Sequence, residues 1–404
     1  MKVAIVHDWC VTYGGAERVL ERIIDMYPQA DVFTLIDKVP QAQREFLRGR
    51  TPVTSFMQKI PGIERHYRKL LALMPHAIEQ FDLAKYDLIL SNHYGVAKGV
   101  ITAPRQTHVC YCNSPMRYAW DMQHSALAEA GLDKGLKSIL ARWQLHHIRQ
   151  WDARCANNVD LFIANSNFIA DRIWRSYRRN SVVVYPPVDV GAFSLNAEKG
   201  DYFVSVGRLV PYKKIDILVD AFREMPDKRL VIVGEGPEME ALQHNAPSNV
   251  DFRGRQSFSE MRNIVAKARA LLFAAYEDFG IVPLEAQASG TPVIAYGRGG
   301  SLETVVPVSD GEVTDLDLDL DPTTHTHSPT GLFFYEQSSA SVRDAIARFD
   351  QIPPGVLSAE NCRKHALKFN GERFDEQFKA AVNQALVACK RSPQTLDAAP
   401  HFGG

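Results

Sequence analysis

The sequence predicts an α/β protein built as two doubly wound parallel sheets. Short apolar runs alternate with helical patterns from residue 2 onward, which is the signature of strand and crossover helix in a parallel sheet. The alternation halts at Pro186-Pro187. Two residues with fixed φ and no backbone donor suit a stiff connection better than a sheet interior. A second strand and helix series begins near residue 202, and 404 residues are too many for one ordinary core.

In the first half, residues 2–7 read as a strand, Gly14-Gly15 as a turn, and 16–26 as a helix with Val19, Leu20, Ile23 and Ile24 on one face. Further strands are predicted at 32–36, 86–90, 107–112, 160–164 and 182–185. The second half gives strands at 202–207, 229–234, 270–274 and 292–295 with helices between them. The resulting domains are 1–187 and 188–370. A helix at 371–390 is expected to pack back across both, followed by a frayed tail at 391–404. Residues 307–329 combine Asp-Leu alternation with Thr, His, Ser and Pro. That composition cannot bury enough apolar area to order itself, so a surface loop of unassigned role is expected.

Composition excludes several function classes. The formal charge of -1 distributes 46 basic and 47 acidic side chains through the chain, so no global field recruits nucleic acid. Six cysteines occur without a C-x-x-C pair, as expected of buried thiols in a reducing compartment. The apolar run at 3–6 stops at His7-Asp8, short of a signal-peptide core, and no window approaches a membrane span. The expected location is the cytoplasm. Residues 65–69 and 134–149 mix cations with leucine, isoleucine and tryptophan. They read either as peripheral contacts with the inner face of the cytoplasmic membrane or as core-facing helices with basic backs. His325 and His327 lack carboxylate or thiol neighbours at a ligand spacing, so no metal is expected.

The stretch Glu277-Asp-Phe-Gly-Ile-Val-Pro-Leu-Glu285 follows a strand and runs into a helix. Gly280 permits close backbone approach, Pro283 suits a first helical turn, and the unpaired amides there can bind phosphate. Glu277 can accept hydrogen bonds from sugar hydroxyls and Glu285 can reach a ribose. Taken alone, the pair would read as two solvent-facing glutamates. Context argues otherwise, because Gly207-Arg208-Leu209-Val210-Pro211-Tyr212-Lys213 places a guanidinium and an ammonium just after the first strand of the same domain. Together these cations can stabilise a departing nucleoside diphosphate.

Gly207-Arg208 with Lys213, Gly234-Glu235-Gly236-Pro237 and the E-x7-E pair Glu277/Glu285 resemble glycosyltransferase family 4. The likeness runs in order from Gly14-Gly15-Ala16-Glu17 through Met116-Arg117-Tyr118-Ala119-Trp120-Asp121 to Gly331-Leu332-Phe333-Phe334. It implies a GT-B fold of two facing Rossmann-like domains with a deep interdomain cleft, retention of anomeric configuration, and no required metal or other cofactor. Arg208 and Lys213 should hold the donor diphosphate, Glu285 the ribose and Glu277 the transferred sugar, with Gly15 touching phosphate. Phe279, Gly280, Ile281 and Val282 should line the donor site. Gly234 and Gly236 either border the nucleotide or form a helix-start turn, and Phe252-Arg253-Gly254 would lie near the base.

One position departs from the family's pattern. Asn113 stands where relatives commonly carry a histidine facing the donor sugar. Asparagine can position a hydroxyl but cannot exchange protons near neutral pH. Arg117 and Asp121 would meet the acceptor, close the interdomain face or form a structural ion pair, and His93, at the end of a strand, either lines the cleft or, as a lone histidine more often does, is structural. The likeness to mannosyltransferases of bacterial polysaccharide assembly implies GDP-mannose ahead of UDP-glucose, and a saccharide or polyprenyl-diphosphate-linked oligosaccharide as acceptor. Asn113 also motivates a rival reading, a nucleotide-sugar-binding protein without transfer activity. A remoter one, a nicotinamide-dependent oxidoreductase, rests on Asp37 after the second strand, but Gly14-Gly15 makes no G-x-G-x-x-G turn.

Overall fold

The computed structural model describes residues 1–308 and 328–391. It divides into two compact units, Met1–Pro187 together with the chain from Phe374 on, and Val188–Arg373. The expected loop at 307–329 lies, apart from its ends, outside the described residues. So do His325, His327 and all but the first residue of the expected tail.

The first unit holds strands β1 (Val3–His7), β2 (Asp31–Thr34), β3 (Val53–Thr54), β4 (Leu88–His93), β5 (Thr107–Cys112), β6 (Leu161–Ala164) and β7 (Ser181–Val183). Their order is β3-β2-β1-β4-β5-β6-β7, all parallel. The second unit holds β8 (Tyr202–Val206), β9 (Arg229–Val233), β10 (Val250–Gly254), β11 (Ala270–Phe273), β12 (Val293–Tyr296) and β13 (Gly331–Phe334), ordered β10-β9-β8-β11-β12-β13 and again parallel. Helices cover both faces of such sheets, which is why central strands such as β1 and β11 are apolar at nearly every position and wholly buried.

Helix α1 (Gly15–Met26) buries Val19, Leu20, Ile23 and Ile24, the face its periodicity predicts. Helix α2 is Gly135–Cys155 and α3 is Asn167–Tyr177. In the second unit α4 (Ile215–Arg223) and α5 (Ile281–Ala288) each follow a loop that carries candidate site residues. The last helix, α6 (Gly371–Arg391), adds Phe374, Phe378, Ala381, Val382 and Ala385 to the core of the first unit. There Tyr111 of β5 meets the Phe374 ring edge-on, and Arg22 of α1 forms a two-pronged ion pair with Asp375.

Three strands escaped the sequence reading. β3 is two residues long, and β10 reads Val-Asp-Phe-Arg-Gly at the edge of its sheet. β13 offers four apolar residues, too few for periodicity to separate strand from helix. β4 also starts later than predicted and runs on through Ser91, Asn92 and His93, all buried. Ser91 and Asn92 find hydrogen-bond partners inside the unit, to His108 and to His7 and the Ala16 carbonyl, whereas the buried His93 ring makes no hydrogen bond.

Candidate active site

In the second sheet the chain order reverses between β8 and β11: β9 and β10 extend one way, β12 and β13 the other. Loops leaving two such strands diverge at their carboxyl ends and open a crevice, the usual ligand position in doubly wound sheets. Lys213 sits on the loop after β8 and Glu277 on the loop after β11. The Lys213 Nζ and the Glu277 Oε1 are ion-paired, with side chains only 12% and 19% exposed. The ammonium also lies 5.5 Å from the Phe273 ring centre and 5.6 Å from that of Tyr212. A charge so enclosed interacts more strongly with other charges than one in open water.

Gly280 caps α5 with φ at +93°, a conformation that a side chain would strain. The helix therefore begins just past Glu277, and its first-turn amides are available to an anion. Glu285 is buried one turn into α5, and Phe279 is buried beside the Phe369 ring. Ile281 and Val282 are half-buried. The loop is braced by Gly299-Gly300, which the sequence reading passed over. The Gly300 N–H donates to the Glu277 carbonyl at 2.8 Å. A Cβ on Gly300 would stand 2.2 Å from the Phe279 Cα, and one on Gly299 would stand 2.6 Å from the Glu277 oxygen. The available signal was a glycine pair four residues beyond the strand run at 292–295, in the stretch Tyr296-Gly297-Arg298-Gly299-Gly300.

Gly234 and Gly236 have a backbone explanation. A Cβ at Gly234 would lie 1.8 Å from the Gly207 oxygen and one at Gly236 2.0 Å from the Leu209 oxygen. Leu209 N–H donates to the Glu235 carbonyl at 2.9 Å. Their missing side chains let the loop after β9 lie directly on the loop that carries Arg208 and Lys213. Arg208 is exposed there and makes no ion pair or side-chain hydrogen bond to another described residue. Phe252, Arg253 and Gly254 form the end of β10, with Arg253 paired to Asp251 at 2.7 Å.

The first sheet reverses between β1 and β4, and here the structure shows more than the sequence. Asp8 is fully buried and accepts the N–H groups of Tyr94, Gly95, Val96 and Ala97 at 2.6, 2.9, 2.5 and 2.6 Å. Burial pushes its carboxyl up from the usual range, opposed by His7 and by these donors. Beside it runs a polar chain. Glu17 meets His7 Nε2 at 3.3 Å, Asn92 Nδ2 meets His7 Nδ1 at 3.2 Å, and Asn113 Nδ2 donates to Asn92 Oδ1 at 2.6 Å. Asn113 is thus tied into the network that positions the ends of β1, β4 and β5. His93 is buried with neither ring nitrogen hydrogen-bonded, and burial, then Lys98 and His108, hold its pKa well below the ordinary value. A cleft of about 150 Å³ opens next to this network, lined by Trp9, Tyr67, Tyr94, Glu17 and Arg68 among others.

The remaining candidates separate. Gly15 is exposed at the start of α1. Asp121 pairs with the buried Arg172 at 2.8 Å, an ion pair within the first unit. Arg117 is half-buried and its carbonyl accepts the Met122 N–H at 2.9 Å. Asp37, on which the oxidoreductase reading rested, is held at 2.7 Å by both terminal nitrogens of Arg44. Among the described residues no group of three or more His, Cys, Asp or Glu is placed to hold a metal ion.

Two family models match consecutive stretches, Glycosyltransferase Family 4 over residues 13–191 and Glycosyl transferases group 1 over 192–317. The chain belongs to glycosyltransferase family 4. This family 4 glycosyltransferase is 39% identical over 127 residues to a GDP-mannose-dependent monoacylated alpha-(1-6)-phosphatidylinositol monomannoside mannosyltransferase of Corynebacterium glutamicum, covering 28% of this chain and 33% of that one. It is 28% identical over 193 residues to the O-antigen chain mannosyltransferase RfbU of Salmonella typhimurium, covering 45% and 51%. The chain therefore spans about half or less of the length of these curated relatives. Among solved structures, Anabaena Alr3699/HepE in complex with UDP-glucose superposes with a TM-score of 0.64 at 18% identity, over 95% of this chain and all of that one. The fold of this family 4 glycosyltransferase is GT-B, two Rossmann-like domains.

Proposed function

We propose that the protein transfers a hexosyl group from a nucleoside diphosphate sugar, GDP-mannose in preference to UDP-glucose, to a saccharide or polyprenyl-diphosphate-linked oligosaccharide in bacterial polysaccharide assembly. The observation that carries this reading is the Lys213–Glu277 pair at the crevice of the second sheet, beside the amino end of α5. A donor diphosphate there takes charge from Lys213, Arg208 and the helix amides. Glu277, released from its lysine, accepts hydrogen bonds from the sugar hydroxyls. As the bond from the anomeric carbon to the diphosphate oxygen breaks, these positive groups stabilise the charge that develops on the leaving group. The acceptor hydroxyl bonds the same face of the anomeric carbon, and its proton passes to the departing phosphate. Configuration is retained, and side-chain cations fill the part that a metal plays elsewhere.

The preference for GDP-mannose rests on the two mannosyltransferase relatives, and a UDP-glucose complex in the structural neighbour keeps the second donor in the test. In the first unit, the aromatic cleft beside Glu17 and Arg68 offers flat apolar faces and polar groups to an acceptor saccharide. Purified protein is incubated with each donor, with and without lipid-linked acceptors and with a chelator, and released nucleoside diphosphate is measured. Acceptor-dependent release, resistant to chelator and greatest with GDP-mannose, supports the proposal; the anomeric configuration of the product is read by NMR. Donor binding with no release under any condition would support a binding protein instead.

A further inference from the structure

Helix α2 spans 21 residues and is apolar on two opposite sides. Leu145, Ile148 and Cys155 are buried in the first unit, with Asp152 among them. About half a turn away, Leu136, Ile139, Leu140 and Trp143 follow the i, i+3, i+4, i+7 spacing of a single face and are 85%, 65%, 65% and 61% exposed. The Trp143 ring meets the His147 ring of the same helix edge-on, with centres 4.4 Å apart, and the four side chains otherwise stay largely in solvent. Large apolar side chains in contiguous array on a surface mark a contact site. The neighbouring charge is mainly positive: residues 134–149 contain Lys134, Lys137 and Arg142 and no aspartate or glutamate, Asp133 stands just before them, and Arg149 turns to the Ala119 carbonyl and Gln123.

We infer that this face of α2 docks on an anionic lipid bilayer, with the leucines, isoleucine and tryptophan entering the headgroup and acyl boundary and the flanking cations facing acidic headgroups. Among the described residues no helix is long and apolar enough to cross a membrane, so the contact is peripheral. The other basic stretch behaves differently. Tyr67 is buried against Trp9, with ring centres 5.2 Å apart, and Arg68 lies over the Tyr67 ring. That segment turns its aromatic residue into the core, whereas α2 turns a second apolar stripe outward.

The inference is independent of the transfer reaction, and its test contains neither donor nor acceptor. The full chain is sedimented with phosphatidylcholine vesicles, with and without phosphatidylglycerol. Wild type should bind the anionic vesicles selectively. Ile139→Glu/Trp143→Glu and Lys134→Glu/Lys137→Glu should each weaken that binding by about tenfold or more. The substituted side chains are exposed, so both variants should melt as wild type does. A gentler variant guards against misfolding: lipids carrying a fluorescence quencher should quench wild type more than Trp143→Phe. Equal binding to both vesicle types, unchanged binding by the variants, or quenching unaffected in Trp143→Phe would overturn the inference. So would self-association that the Ile139→Glu/Trp143→Glu variant abolishes in a protein that does not bind vesicles.

Discussion

Lys213 and Glu277 arrive on loops from neighbouring strands β8 and β11 and meet as an ion pair largely shielded from solvent. The contact joins the loop bearing Arg208 to the loop that opens into α5. Each residue holds the other in place at the position where a donor diphosphate is proposed to bind.

Lys213→Ala and Glu277→Gln should each lower transfer by about 10²–10³-fold. The double variant should fall short of the product of the two losses, because both changes disrupt one unit. Steady-state rates of nucleoside diphosphate release, alongside circular dichroism to confirm folding, check this. Fully multiplicative losses would mean that the pair does not act together.

Gly300→Ala should damage the same loop without touching any charge. Its new methyl group would collide with the Phe279 backbone, and overpacking of this kind costs about 1–3 kcal/mol. Thermal melting should shift down and turnover should fall with it. An unchanged melt would show that the loop can yield.

Lys98 and Asp152 are both fully buried and ion-paired, and Asp152 also accepts the Trp120 Nε1–H and the Tyr177 hydroxyl at 2.8 Å each. Asp152→Asn should leave Lys98 charged and underpaired, destabilising the first unit by about 3–5 kcal/mol. Lys98→Met/Asp152→Leu should recover part of that loss. Urea unfolding measures both; a harmless Asp152→Asn would contradict the buried pair.

Burial lowers the His108 pKa to about 4 from 6.5. Its Nδ1–H donates to the Asn158 carbonyl at 3.1 Å and its Nε2 accepts from the Ser91 hydroxyl at 2.9 Å. Between those two pKa values the unfolded chain binds a proton that the folded chain refuses. Stability therefore rises with pH across that window and is lost as pH falls, by about 2 kcal/mol between pH 7 and pH 5. His108→Gln should flatten the pH dependence of the first unit's unfolding; an unaltered slope would refute the assignment. His365, lowered to about 4 chiefly by burial, acts in the same direction in the second unit.

Much of this protein was legible in its residue order. Apolar runs separated by helical patterns require parallel sheets, and β1, α1, β5, β8 and β11 lie where periodicity puts them. Lys213, Glu277 and Gly280 stood out because a cation, an acid and a helix-opening glycine each follow a strand, a local fact. What the residue order could not decide were relations between distant segments. Gly234 is a glycine because the Gly207 carbonyl sits against it, Gly300 because Phe279 does, and Asp8 is buried because four amides after β4 converge on it. The same holds for α2, whose two apolar stripes look alike in sequence. Only the folded chain covers one and leaves the other to solvent, since burial depends on which neighbours the topology brings near.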